Sequence, residues 1–534
     1  MTLSSLKKSK RFGRAFTAIL ISGLLATANS AEKPNIIFIL ADDQGFGDVS
    51  ALNPDSKIPT PNIDRIAKEG MIFSDAHTSS SVCTPTRYSV LTGRYHWRTH
   101  LQKGVLGGFS APLISENRLT VASLLKKQGY YTACVGKWHL GFDWPLKGGG
   151  YADDGGDFSG GFKKGWDVDY TAPIKNGPVD LGFDTFFGIS ASLDMPPYVY
   201  IQDKIPTEPA TVEKAFNRKG PAAVGFEAVD VLPRITEKTV EIIGKRAEAA
   251  KKGDPFFIYF PLNAPHTPIL PTKEWQGKSG INNYGDFTMQ VDWTVGQVLK
   301  ALDENGLTDN TLIIFTTDNG CSPAAKIPEL QAAGHEPSFI YRGHKADIYE
   351  GGHRVPFVAR WPGKIEAGRK SDQLIGQVDF LATAAEITGT DIPNDGGEDS
   401  VSFLPALLGE NDAPGRNSIV SQSIGGYFCI RDENWKLALC PGSGGWSNPR
   451  PGRVDMSKFP PLQLFDLNTD PGEQTNLVAN HPERVEKMKS MLAELIKKGR
   501  TTGGPDLKND TDIVMIKPVP AFKPAKPKKG KKKK

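Results

Sequence analysis

The chain is predicted to fold as an α/β sandwich followed by a smaller C-terminal α+β subdomain, and three observations carry that expectation. Continuous apolar runs rich in β-branched residues recur along the first 415 residues, the form of strands buried on both faces. Stretches of helical periodicity separate them, and strands alternating with helices imply a layered α/β fold. Beyond about residue 415 the runs become short and closely spaced, which suits an antiparallel sheet.

Taken in order, residues 1–31 stand apart. Lys7, Lys8, Lys10, Arg11 and Arg14 precede the apolar run 16–25 and the small residues Ala26, Ala28, Ser30 and Ala31. This reads as a secretory signal, too short for a membrane span, so an exported protein (periplasmic or extracellular) without a transmembrane anchor is expected. The first strand is Asn35-Ile36-Ile37-Phe38-Ile39-Leu40, ended by Ala41-Asp42-Asp43. A second strand, 131–135, leads into Gly136-Lys137-Trp138-His139, and a third, 256–260, into Asn263-Ala264-Pro265-His266. A fourth, 311–317, leads into Asp318-Asn319-Gly320. Helices are expected at 62–69, 119–127, 235–251 and 286–305. Residues 145–178 are Gly- and Lys-rich and read as a surface insertion near the mouth of the site. Tyr151, Trp166, Tyr170, Asp194, Tyr198 and Tyr200 are candidate sugar contacts there and just after it. In the last part, 418–421, 427–430, 435–439 and 463–467 read as strands and Pro482–Lys498 as an amphipathic helix. The expected organisation is therefore a signal at 1–31, an α/β domain at 32–414, an antiparallel-sheet and helix subdomain at 415–505, and a disordered Lys/Pro-rich tail at 506–534.

The formal charge of +4 conceals an acidic body. Residues 1–31 carry five basic residues and no acid, and 517–534 carry nine lysines and no acid, so the remainder stands at −10. A nucleic-acid partner would call for a basic folded domain, and that class is excluded. Of the five cysteines, Cys429 and Cys440 flank a plausible hairpin and could pair in an oxidising compartment, whereas Cys134 lies in an apolar run and reads as buried. With four strands ending in polar or ionisable residues, one site outside the carboxyl ends of the sheet is expected. Asp42, Asp43, Asp318 and Asn319 are hard oxygen donors, which suit Ca²⁺ or Mg²⁺ rather than zinc. Pro85 suits the first turn of a helix, placing Cys83 at an N-terminus that favours an anion.

The stretch Cys83-Thr84-Pro85-Thr86-Arg87, continuing to Gly93-Arg94, resembles the sulfatase signature, in which the cysteine of Cys-x-Pro-x-Arg is oxidised to formylglycine. Gly136-Lys137-Trp138-His139 and Asn263-Ala264-Pro265-His266 resemble the family segments that supply a lysine and two histidines. The segment 342–356, with Lys345 and Glu350-Gly351-Gly352-His353-Arg354, resembles a third, and Ser192 belongs to a looser match at 188–194. The resemblance covers roughly 34–480, with the motifs in family order, and it implies the alkaline-phosphatase-like α/β/α sandwich.

What it further implies is a mechanism and a set of roles. Formylglycine made from Cys83 by a formylglycine-generating maturation enzyme would attack sulfur as its hydrate. Asp42, Asp43, Asp318, Asn319 and residue 83 itself would hold a divalent ion, Ca²⁺ before Mg²⁺. Lys137, His139, His266, Lys345 and Ser192 would bind sulfate, and Arg87 would return to the nucleophile's oxygen. His266 or Lys345 would protonate the leaving alkoxide, and His139 would take the proton of the second hydroxyl. Arg94 is either a supporting partner of the site or half of a structural ion pair. The expected substrate is a sulfated polysaccharide or its oligosaccharides. Two other readings compete: a phosphonate or phosphate ester hydrolase of the same superfamily, and a noncatalytic binder of sulfated glycans.

Overall fold

The structure, a computed structural model, describes residues 33–155, 163–410 and 415–522. The export signal expected at 1–31 and the lysine-rich end from 523 onward lie outside the described residues. At the centre is a ten-stranded mixed sheet. Its first members in chain order are β1 (Asn35–Ala41), β2 (Met71–Phe73), β4 (Tyr131–Lys137), β5 (Thr185–Ile189), β6 (Ile201–Gln202) and β7 (Ile205–Pro206). Then follow β10 (Phe256–Pro261), β11 (Thr311–Thr317), β12 (Phe357–Arg360) and β13 (Arg369–Ser371). Two small sheets pair β3 (Ala76–His77) with β14 (Ile375–Gly376), and β8 (Val212–Ala215) with β9 (Lys219–Ala222). Across the main sheet the order is β13-β2-β12-β11-β1-β10-β4-β5-β6-β7.

The neighbours from β11 to β5 run parallel, so their carboxyl ends share one edge. All seven residues of β1 and of β11 are buried. Because successive side chains point to opposite faces, both faces must be covered. One group of helices, α1 (Pro61–Glu69), α4 (Val231–Ala250) and α5 (Asn283–Glu304), packs together and against the sheet. A second comprises α2 (Cys83–Thr92), α3 (Val121–Lys127) and α8 (Phe380–Thr388). The shorter α6 (Ile327–Ala332), α7 (Glu350–His353) and α9 (Leu404–Leu408) lie in the connections. At Gly136, with φ of 130°, an added Cβ would sit 1.9 Å from the Pro261 carbonyl oxygen, so only glycine lets β4 and β10 approach here.

The last part of the chain forms a four-stranded antiparallel sheet from β15 (Ser418–Gln422), β16 (Phe428–Asp432), β17 (Trp435–Ala438) and β18 (Gln463–Asp466). The helix α10 (Pro482–Lys498) covers β16. Its core is shared: Tyr95, Trp97 and Val378 of the preceding part pack with Phe428, Ile430, Leu437, Met488 and Leu492. A buried ionic network also ties the two parts. Lys436 Nζ lies 3.0 Å from Glu350 Oε1 and 2.8 Å from Glu473 Oε1, and Arg431 and Arg354 both meet Asp75.

Three expectations are corrected here. The ordered chain continues beyond 505: the Asp510 carboxylate accepts two bonds from Arg94, Asn509 accepts one from Arg98, and Lys517 Nζ donates to the Gln102 carbonyl. Buried arginines recruit those acceptors, so 506–518 is docked onto the body instead of starting a disordered tail. Cys429 and Cys440 are both buried and free, because Cys429 lies opposite Ala438 and Cys440 falls two residues beyond the pair. The 145–178 stretch is not a surface loop throughout, since Ala152, Val168, Tyr170 and Ile174 enter the main core. Residues 156–162 of it lie outside the described residues.

Candidate active site

Four adjacent parallel strands end at one edge of the sheet and deliver the polar groups that follow them. β1 delivers Asp42 and Asp43, β4 delivers Lys137 and His139, β10 delivers Asn263 and His266, and β11 delivers Asp318 and Asn319. The first residue of α2 adds Cys83, and the loop before α7 adds Lys345. Cys83 Sγ lies 3.6 Å from Asp42 Oδ1 and 3.6 Å from Lys345 Nζ. Lys345 Nζ is 2.5 Å from Asp43 Oδ1, and Lys137 Nζ is 2.6 Å from Asp42 Oδ2. His266 Nε2 stands 3.7 Å from Asp43 Oδ2, and Asn319 Nδ2 donates to Asp43 Oδ1 at 2.8 Å. Arg87 directs Nε and Nη2 onto Asp318 Oδ2 at 3.0 and 2.6 Å and Nη1 onto the Lys137 carbonyl. Arg87 therefore meets Asp318 directly and comes to Cys83 only through the carboxylates, which narrows the role expected of it.

Three carboxylates are matched one for one by Arg87, Lys137 and Lys345, all essentially out of solvent. Burial alone would raise the Asp42 carboxyl, but Lys137, His266, Arg87 and Lys345 together hold it well below the usual range. Asp318 is pushed up to about 6 by burial and by the neighbouring Asp42 charge, against the pull of Arg87. Burial and Asp318 push the Cys83 thiol upward. Burial, then Lys137 and Arg87, hold His139 well below the ordinary imidazole range, so it is neutral.

Backbone strain gathers at the same place. Asp43, His139 and Ala346, which follows Lys345, have φ of 69°, 58° and 79°. A non-glycine residue in the left-handed region costs on the order of 1 kcal/mol and concentrates at functional sites. His139 Nε2 meets the Leu106 carbonyl oxygen at 2.8 Å, leaving Nδ1 buried without a partner. Ser192 Oγ is likewise buried and unpartnered, two residues beyond Ser190, whose carbonyl accepts from the His139 amide.

The orphaned atoms mark what the centre is built to bind. Asp43 Oδ2 and Asn319 Oδ1 are buried without a hydrogen-bond partner, beside Asp42 and Asp318. This all-oxygen set fits a hard divalent cation. Asp42, Asp43, Cys83 and His266 bring ligand atoms within 4.8 Å of one another. Because the acids are already neutralised, a bound dication would leave the centre net positive and ready for an anion. A second cluster, His77, Glu350 and His353, has no orphaned ligand atom, since its ring nitrogens and carboxylate oxygens are engaged by Asp75, the Ile348 carbonyl, Arg354, Lys436 and one another. Sequence reading missed Gln44, Asn263 and Ser190, whose buried polar side-chain atoms also lack partners. Their position immediately beside Asp43, in the His266 segment and within the 188–194 motif that holds Ser192 was the available signal.

Other expected residues fall elsewhere. Arg94 pairs with Glu398 and Asp510 and bonds Tyr88, a structural role. Tyr170, Tyr198 and Tyr200 are buried and cannot face a sugar. Tyr198 packs edge-on against Phe216, and Tyr200 lies between Phe187 and Phe226. Asp194 is buried and paired with Arg218, while Tyr151 and Trp166 remain exposed.

A parallel-centred α/β sandwich with a cysteine, three acids, two lysines and two histidines converging at the strand ends defines an ester hydrolase of the sulfatase class. The chain belongs to the sulfatase family: residues 34–390 match the family described as "Sulfatase", and 343–438 match "N-sulphoglucosamine sulphohydrolase, C-terminal". It is 33% identical over 506 residues to the N-acetylgalactosamine-6-O-sulfatase of Bacteroides thetaiotaomicron, covering 87% of this chain and 93% of that one. It is 31% identical to the arylsulfatase A of Bos taurus, covering 90% of each. A solved structure described under the metabolism of multiple glycosaminoglycans by Bacteroides thetaiotaomicron superposes with a TM-score of 0.74 at 31% identity, covering 87% of this chain and 99% of that one. The protein is a sulfuric ester hydrolase with the alkaline-phosphatase-like fold, and the comparisons favour sulfate esters over the phosphoester and binder readings.

Proposed function

We propose that this sulfatase removes sulfate from a sulfated polysaccharide or its oligosaccharides, using residue 83 as formylglycine and a divalent ion, Ca²⁺ before Mg²⁺. The observation that carries the reading is Cys83 Sγ at the start of α2, 3.6 Å from both Asp42 Oδ1 and Lys345 Nζ. The name of the N-acetylgalactosamine-6-O-sulfatase relative supports a saccharide substrate, and the seven oxygen atoms on Asp42, Asp43, Asp318 and Asn319 support the ion. Those four residues would hold the cation, which would supply Lewis-acid stabilisation and charge shielding at sulfur. Formylglycine would supply a hydrated aldehyde, with one hydroxyl for attack and a second for release of sulfate.

The chain's own side chains do the rest. Lys137 and Lys345 meet the anionic sulfate, and the exposed N–H groups at the start of α2 add to that field. Lys345 and His266 flank the leaving oxygen, and either can protonate it. His139, neutral and with a free Nδ1, accepts a proton. Export through the segment 1–31 and maturation by a formylglycine-generating enzyme belong to the same proposal. The test is turnover of N-acetylgalactosamine-6-sulfate by protein matured with such an enzyme, alongside an aryl sulfate and an aryl phosphate. Release of sulfate from the sugar supports the reading; hydrolysis of the aryl phosphate alone would overturn it.

A further inference from the structure

Beyond the catalytic centre the structure holds a cationic groove that the sulfate-ester reading does not use. Two adjoining cavities of about 540 and 530 Å³ share Gln102, Lys103 and Ile424 in their walls. Both walls run back to the active site. On one side Gly104 N donates to the Ile424 carbonyl, and Ile424 N donates to the carbonyl of Ala346, the neighbour of Lys345. On the other, Leu106 gives its carbonyl to His139 and its N–H to Thr84 Oγ1 in the first turn of α2.

Three cations line the groove: Lys103, Arg450 and Lys517. None of them has an ion-pair partner among the described residues. Each cavity has one acid in its lining, Asp512 in the first and Asp153 in the second; both are exposed, and neither pairs with any of the three cations. Lys517 is held in place by its bond to the Gln102 carbonyl at 2.5 Å. Burial, with the charge of Lys103 beside it, pulls its ammonium down to about 8. Two lysines brought together with no carboxylate between them are destabilising unless an anion joins them. Trp446, half-buried and with its backbone N–H donating to Asp347 Oδ1, adds an indole surface of the kind sugars stack against.

We propose that this groove is a subsite for the sugar next to the one being desulfated, with Lys103, Arg450 and Lys517 binding that sugar's sulfate or carboxylate and Trp446 lying against its ring. The proposal rests on the saccharide reading above. It makes the docked end of the chain part of the substrate site, and it makes a multiply anionic oligosaccharide the preferred substrate over a lone monosaccharide.

The experiment compares wild type with Lys103→Ala/Lys517→Ala, Arg450→Ala and Trp446→Ala, all matured and metal-loaded. Substrates are N-acetylgalactosamine-6-sulfate and tetrasaccharides ending in it, whose neighbouring sugar is uncharged, carries a uronate, or carries a sulfate. For charged-neighbour substrates kcat/KM is expected to fall about tenfold or more, mainly through KM, since the subsite binds and does not react. Loss confined to the uronate or the sulfate series assigns the group. The monosaccharide should change less than about twofold in every variant, and the uncharged-neighbour tetrasaccharide less than about twofold in the lysine and arginine variants, whereas Trp446→Ala should weaken all the tetrasaccharides. Equal loss on every substrate, or an unchanged charged tetrasaccharide, overturns the subsite while leaving the sulfatase reading standing. Wild-type protein that desulfates none of these sugars overturns the saccharide reading, and the subsite with it.

Discussion

Lys345 Nζ stands 3.6 Å from Cys83 Sγ while it touches Asp43 at 2.5 Å. A cation is thus fixed beside Cys83 by a carboxylate that has a second oxygen, Oδ2, free for another partner. The same pattern repeats with Lys137 on Asp42, and in both cases burial strengthens the field felt by an incoming anion.

Removal of divalent ions should abolish turnover, because Asp42, Asp43 and Asp318 then face sulfate with no net positive charge. Activity should return with Ca²⁺ more fully than with Mg²⁺, and elemental analysis should find the ion bound. Zinc in the purified protein, or full activity after verified metal removal, would contradict the oxygen-ligand set.

Lys436→Met should destabilise the protein by about 3–5 kcal/mol in urea unfolding, since it strands Glu350 and Glu473 in the interior. Burial pushes Glu473 up to about 7, so a neutral substitute there is tolerated. Lys436→Met with Glu473→Gln should regain part of the loss. Simple additivity of the two costs would show that the charges are not coupled.

Stability should fall on the acid side in part through His96. Burial lowers this imidazole to about 3, with Gln422 Oε1 at 2.8 Å from its Nε2. The folded state therefore holds it neutral while the unfolded chain takes up a proton near its ordinary value of about 6.5. Its contribution is complete above that value and is lost as pH falls toward 3. Between pH 6 and 4.5 the loss is about 2 kcal/mol, and His96→Gln should remove it. An unchanged acid limb in the variant would assign the effect elsewhere.

Truncation after residue 505 should cost about 1–3 kcal/mol, because Arg94 and Arg98 lose Asp510 and Asn509. Truncation after residue 522 should change stability by less than about 0.5 kcal/mol. Equal melting behaviour of the two truncated proteins would contradict the docked path of 506–518.

The sheet and the polar groups gathered at its edge were legible because each strand and its polar end are adjacent in sequence, as in Asn35 to Asp43 or Thr311 to Asn319. A local pattern therefore carried both the fold and the residues it delivers. What was not legible depends on partners far apart in the chain. Arg94 and Asp510 are 416 residues apart, and Arg431 and Asp75 are 356 apart. Composition alone made 506–518 look like a tail and gave no hint of the ionic tie across the two parts. Tyr198 and Tyr200 were misread because their cover, Phe216 and Phe226, reaches them only through the β8–β9 hairpin and the turn beyond it. The Lys103–Lys517 groove was invisible for the same reason.

The most direct measurement is the mass of the peptide spanning residue 83 set against specific activity, across preparations matured to different extents. Conversion exchanges H₂S for one oxygen, so the converted fraction reads directly from the spectrum. Turnover of an aryl sulfate should rise in proportion to that fraction and pass through zero for unconverted protein and for Cys83→Ala. Undiminished activity in protein whose residue 83 is wholly cysteine would contradict the formylglycine centre.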